Sequence, residues 1–112
     1  MQVLSKNNFF SRNEGLISET EQNRLADTSI AIIGTGGDGG LLAERLVRFG
    51  IGKIILADPE IFESSNINRQ YACNQNTLGK NKAEMVANEL RLINPELKIK
   101  IYKEGMSDHN VK

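Results

Sequence analysis

The residues that can do chemistry begin with Gly34-Thr35-Gly36-Gly37-Asp38-Gly39, which fit the pattern GxGxxG. Glycines at this spacing let a backbone turn sharply and come close to a phosphate. A helix starting here would aim free amides and its positive end at negative charge. Asp58 closes the second apolar run, where a carboxylate can accept both hydroxyls of a ribose. These residues alone serve a dinucleotide and ATP equally. The loop that follows carries Ser65-Asn66-Ile67-Asn68-Arg69-Gln70, then Lys80-Asn81-Lys82. Two spaced cations suit a triphosphate, whose tail and departing pyrophosphate must be neutralised. A redox dinucleotide domain has no such need.

The elements that must hold these groups can be read from periodicity. Ser18-Glu19-Thr20-Glu21 is a capping box opening a short helix to about Ala26. Ser29-Ile30-Ala31-Ile32-Ile33 reads as a strand buried on both faces, as in a parallel sheet. Leu41, Leu42, Leu46 and Val47 recur at helical spacing until Gly50, which the pattern places in the left-handed region. Lys53-Ile54-Ile55-Leu56-Ala57 reads as a second buried strand. Glu60 to Thr77 is a long polar loop, and such loops usually carry function. A helix is expected from about Leu78, with Ala83, Val86, Ala87, Leu90 and Ile93 inward and Asn94-Pro95 as its stop. Leu97, Ile99 and Ile101 alternate with lysines in a third, half-exposed strand. Ser107 reads as the cap of a further helix. The order is half of a doubly wound, Rossmann-like α/β fold with a parallel sheet. The short helix and a polar arm over residues 1–15 precede it.

Composition agrees with one such domain. The chain has 112 residues, with 14 Lys+Arg against 14 Asp+Glu, so bulk charge offers no general attraction to DNA. A hydrophobic fraction of 39% is enough to build a core and excludes a disordered polyelectrolyte. No run is long and apolar enough for a bilayer span, so no membrane partner is expected. The polar N-terminus and the single Cys73 point to the cytosol.

Several separated segments, in order, resemble the ThiF/MoeB/HesA family, relatives of the ubiquitin-activating enzymes. They are Arg12-Asn13, the glycine run 34–40, Asp58, Asn66, Asn68-Arg69-Gln70 and Lys82, and the likeness covers nearly everything from Arg12 onward. The resemblance implies an enzyme that uses ATP and Mg2+ to activate a carboxylate as an acyl-adenylate. It implies that Gly37, with Gly34 and Gly36, sits close to the phosphates and that Asp58 binds the ribose. Ser65, Asn66 and Arg69 would line the α-phosphate and pyrophosphate, and Lys82 would hold the β/γ end. Gln70 follows the family pattern within the same set. Arg12 would reach across a homodimer into the partner's site. The substrate implied is the C-terminus of a ubiquitin-like protein or another carboxylate, with a tRNA-borne carboxylate as the less favoured branch.

Other residues take plainer readings. Cys73 is an incidental loop residue, and His109 is solvated, without metal-ligand neighbours. No protein metal site is expected in these residues. Asp38 stands where the family commonly has an apolar residue; it favours the helix start but lies near the phosphates. Lys98, Lys100 and Lys103 protect an exposed strand edge. The family's magnesium-binding aspartate, zinc cysteines and substrate cradle have no counterpart here. The expectation is therefore the N-terminal half of a longer enzyme, inactive by itself. Two rivals remain from the residues: an NAD-binding oxidoreductase domain, and a non-catalytic partner subunit of an activating enzyme.

Overall fold

The computed structural model of the chain describes residues 10–13 and 15–109. Three parallel strands, β1 (Ser29–Ile33), β2 (Lys53–Ala57) and β3 (Lys98–Tyr102), form one open sheet in that order. Their register sets Ser29 opposite Lys53 and Lys53 opposite Lys98, so all three strands start and end together. Helix α1 (Glu19–Ala26) precedes the sheet. Helix α2 (Gly37–Phe49) links β1 to β2, and helix α3 (Lys82–Ile93) precedes β3.

The capping box forms as its spacing requires. Ser18 Oγ accepts from the Glu21 amide at 3.1 Å, and Glu21 Oε1 accepts from the Ser18 amide at 2.8 Å. The Ser18 amide first, and then the Ser18 side chain, hold the Glu21 carboxyl below its usual range. Gly50 ends α2 at φ 123°, a backbone region that side chains disfavour.

The core lies between one face of the sheet and the two crossover helices. Ile32, Ile54 and Leu56 from the strands meet Ala43, Val47, Val86, Ala87 and Leu90 from the helices. Each large aliphatic side chain buried here stabilises the fold by about 1.5–3 kcal/mol. The other sheet face corrects the expectation for residues 29–33. Ala31 is exposed and Ile33 is 68% exposed, so β1 is buried on one face only. Successive neighbours laid down in one direction by crossovers of one hand put both helices on the same side. Lys53 is exposed and Ile55 half-buried for the same reason.

The second correction concerns the start of α3. It begins at Lys82, not Leu78, because Asn81 is the residue whose side chain caps it: Oδ1 accepts from the Glu84 amide at 3.0 Å. Before it, Leu78 and Asn81 bridge to Phe62 and Ile61. The loop from 60 is thus anchored, with Phe62, Ala72 and Thr77 buried. Ser107 starts no helix among the described residues; its Oγ accepts from the His109 amide in a terminal turn.

Residues 1–9 and 14 of the expected arm lie outside the described residues. Its other end docks on its own chain. Phe10 is buried, Ser11–Asn13 form a 3-10 turn, and Asn13 Nδ2 donates to Gln22 Oε1 (2.8 Å) and to the Phe49 carbonyl (2.9 Å).

Candidate functional site

The C-terminal ends of β1 and β2 open into a cleft of about 410 Å³. The turn after β1 brings Gly34, Gly36 and Gly37 to it, and the end of β2 brings Asp58 and Glu60. The anchored loop adds Asn66, Arg69 and Gln70, and the first residue of α3 adds Lys82. The helix starts of α2 and α3 therefore converge on one space with their positive ends. A second cleft of about 410 Å³ at the opposite end of the sheet is lined by Asp27, Gly50 and Asn94. These are the C-caps of the three helices, so their partial negative charge meets Lys53 and Lys98 there rather than an anion.

The turn is held by close packing. Gly34 has φ +89°, and any side chain at Gly39 would run into the Gly34 carbonyl. Thr35, 2% exposed, donates from its amide and its hydroxyl to Asp58 Oδ2, at 2.8 and 3.2 Å. Asp58 Oδ1 accepts from the Glu60 amide at 2.9 Å, and the Asp58 carbonyl accepts from Asn81 Nδ2 at 2.9 Å. Asp58 is thus a buried hub joining the turn after β1, its own loop and the cap of α3. A carboxylate has about four acceptor positions, so the three in use leave it capacity for a further donor.

Two cations face this frame. Arg69 is exposed, and its Nη1 donates to the Ser65 carbonyl (3.0 Å) and Asn68 Oδ1 (3.1 Å). Lys82 is buried. Its ammonium lies 5.8 Å from the centre of the Phe62 ring and 3.4 Å from Glu60 Oε2. Beside them Asn66 is buried, with Oδ1 accepting from the Glu63 amide. Gln70 is buried against Gly36, where an added Cβ would lie 2.5 Å from Gln70 Oε1. That oxygen has no hydrogen-bond partner among the described residues.

Of the residues read from the sequence, the cleft gathers Gly34, Gly36, Gly37, Asp58, Asn66, Arg69, Gln70 and Lys82. Ser65 does not line it and touches Arg69 through its carbonyl instead. Arg12 is exposed and lies outside its own chain's cleft. Cys73 is buried, its thiol 3.5 Å from the Glu63 carbonyl, a packing role. Among the described residues no cluster of three His, Cys, Asp or Glu side chains stands ready for a metal. Sequence reasoning missed Thr35, Glu60 and Asn81. Glu60 carried one usable signal, an acid two places after Asp58 at a strand end.

Known proteins are similar to this chain in sequence and fold. The model of the ThiF family matches residues 10–112. The tRNA threonylcarbamoyladenosine dehydratase of Bacillus subtilis is 36% identical over 90 residues, 80% of this chain and 35% of its own. The ubiquitin-like modifier-activating enzyme 5 of Aedes aegypti is 41% identical over 85 residues, 76% of this chain and 21% of its own. The crystal structure of the E. coli tRNA N6-threonylcarbamoyladenosine dehydratase in complex with AMP superposes with a TM-score of 0.89. It is 34% identical, and the match covers 99% of this chain and 46% of that one. E. coli MccB with ATP superposes at 0.84, with 31% identity over 95% of this chain and 34% of its own. The chain thus spans about a third of the first curated relative and just under half of that solved dehydratase. Because that family model takes in nearly the whole chain, the chain belongs to the ThiF family.

Proposed function

We propose that this chain is the ATP-binding part of an adenylating enzyme. The observation that carries the reading is the convergence of Arg69, Lys82 and two helix starts on one cleft beside Asp58. A bound ATP would lay its phosphates along Gly34, Gly36 and Gly37. Its ribose would meet Asp58, which has acceptor capacity left. Arg69 and Asn66 would face the α-phosphate, Lys82 the β/γ end, and the orphaned Gln70 oxygen would take a donor from the nucleotide. Ser65 would act through Arg69.

The substrate carboxylate attacks the α-phosphorus, the bond to the β-phosphate oxygen breaks, and pyrophosphate leaves with the electron pair. Acyl-adenylate remains. The chain's own work is positioning and charge stabilisation, which needs no covalent nucleophile at this step. Mg2+ would arrive with the triphosphate, held by one or two carboxylates and the phosphates themselves. When bound, the metal supplies further neutralisation of phosphate charge.

We further propose a homodimer in which Arg12, exposed and remote from its own cleft, serves the partner's. The acyl substrate is a carboxylate carried on a macromolecule. The relatives named for tRNA threonylcarbamoyladenosine and for a ubiquitin-like modifier match at similar identity. No helix among the described residues is long and apolar enough to cross a membrane, in keeping with work in the cytosol.

The test is calorimetry with ATP and NAD on the full-length protein, followed by substrate-dependent ATP–pyrophosphate exchange with each carboxylate class. ATP binding without NAD binding is expected; tight NAD binding with no ATP signal overturns the reading in favour of an oxidoreductase. A fold that binds neither belongs to a non-catalytic subunit. Arg69→Ala should cut the exchange rate by on the order of a hundredfold, the scale of losing one charge-stabilising donor. Its exposed position predicts an unchanged melting temperature.

A further inference from the structure

The ammonium of Lys82 sits where little offsets its charge. It is 7% exposed and stands at the first residue of α3, where the helix end is itself positive. A buried ammonium without a partner is costly, by several kcal/mol of desolvation. The face of the Phe62 ring contributes only weakly at 5.8 Å. One carboxylate is near, Glu60, with Oε2 at 3.4 Å, longer than the roughly 2.7–2.9 Å of a strong charge-assisted bond. The Glu60 side chain is 71% exposed, so little besides this contact through Oε2 holds it. Its backbone, by contrast, is fixed: the amide donates to Asp58 Oδ1, and the carbonyl accepts from the Lys82 amide at 2.9 Å. The side chain can swing out while the loop stays in place.

We infer that Glu60 is a placeholder for ligand phosphate: it supplies the counter-charge of Lys82 in the empty cleft and is displaced when an anionic phosphate chain arrives. This rests on the nucleotide reading of the cleft and adds a built-in competitor to it. Glu60 and Lys82 line the same cleft, so phosphate and carboxylate cannot both take the ammonium at short range. The device keeps the empty site folded and lowers affinity for the polyphosphate product as well as for the substrate. Pyrophosphate would then leave as Glu60 returns.

The test compares the full-length protein with Glu60→Gln, which keeps the shape and removes the charge. Binding of inorganic pyrophosphate and of ATP is measured by calorimetry, with and without Mg2+, beside thermal melting. The variant should bind both ligands tighter by a factor of roughly three to ten. Its unliganded melting temperature should fall by a few degrees, and saturating pyrophosphate should close that gap. Unchanged or weaker binding by the variant, while wild type binds, overturns the placeholder and leaves the nucleotide site standing. Weaker binding confined to the Mg2+ samples also overturns it, and makes Glu60 a metal ligand. Tighter binding without loss of unliganded stability reduces Glu60 to a source of repulsion and overturns it too. If neither protein binds either ligand, the nucleotide reading falls and this inference with it. Should Glu60→Gln fold poorly, Glu60→Asp withdraws the charge by one methylene and should give the same changes at smaller size.

Discussion

Asp58 is the residue on which the site turns. One oxygen takes both donors of Thr35 and the other takes the Glu60 amide. Asparagine cannot replace it quietly, because one of those N–H groups would then face another N–H. Asp58→Asn should cost about 2–3 kcal/mol in urea unfolding, the penalty of a buried donor left unmet. It should weaken ATP binding as well, by loosening the turn after β1. Tyr71 makes the opposite case. Its hydroxyl is buried without a hydrogen-bond partner among the described residues. Burial first, and then the carboxylates of Glu44 and Glu89, push its ionisation above the ordinary phenol value near 10. A raised folded value means stability is fully present below about pH 10 and is lost as pH climbs beyond it. Tyr71→Phe should flatten that alkaline decline in denaturation curves. Near neutral pH it should match wild type or exceed it by about 1 kcal/mol, since no hydrogen bond is lost.

Among the elements, the cap of α3 is the most informative. Asn81 closes that helix through Oδ1 and ties it to Asp58 through Nδ2. Asn81→Ala should therefore cost about 1–2 kcal/mol of unfolding free energy. Much of this architecture was legible along the chain. S-x-x-E gave away the start of α1, glycine 50 the end of α2, and the apolar runs the three strands. The start of α3 was not, because Leu78 continues the helical spacing while the true cap is set by the Asp58 carbonyl, 23 residues earlier. The glycine run, Asp58, Arg69 and Lys82 stood out in the sequence by type, and the fold brings them to one cleft. Glu60 stayed hidden because its partner is 22 residues away and pairs only once the loop is folded. Nor could local pattern show that β1 has one bare face. Ile30, Ile32 and Ile33 look alike in sequence, and only the placement of the crossovers tells them apart.

For the molecule as a whole, the two edges of the sheet differ. β3 carries exposed Lys98 and Lys100, a charge pattern that discourages further pairing. β1 pairs only with β2 among the described residues and carries exposed Ala31 and Ile33. Leu41 and Leu42 of α2 are exposed too, at 43% and 51%. The β1 edge therefore lies beside apolar surface that favours association. The 112-residue chain should self-associate at micromolar concentration by light scattering, and Ile33→Lys should reduce that association. A compact wild-type monomer would show this edge to be self-sufficient. The buried Asp58 hub has a consequence in time as well as in space. The amide hydrogens of Thr35 and Glu60 end on opposite oxygens of one carboxylate, so neither can meet solvent deuterium unless that carboxylate lets go. They should exchange together and slowly, in a single opening event. Two sites 25 positions apart in the chain would then keep one clock.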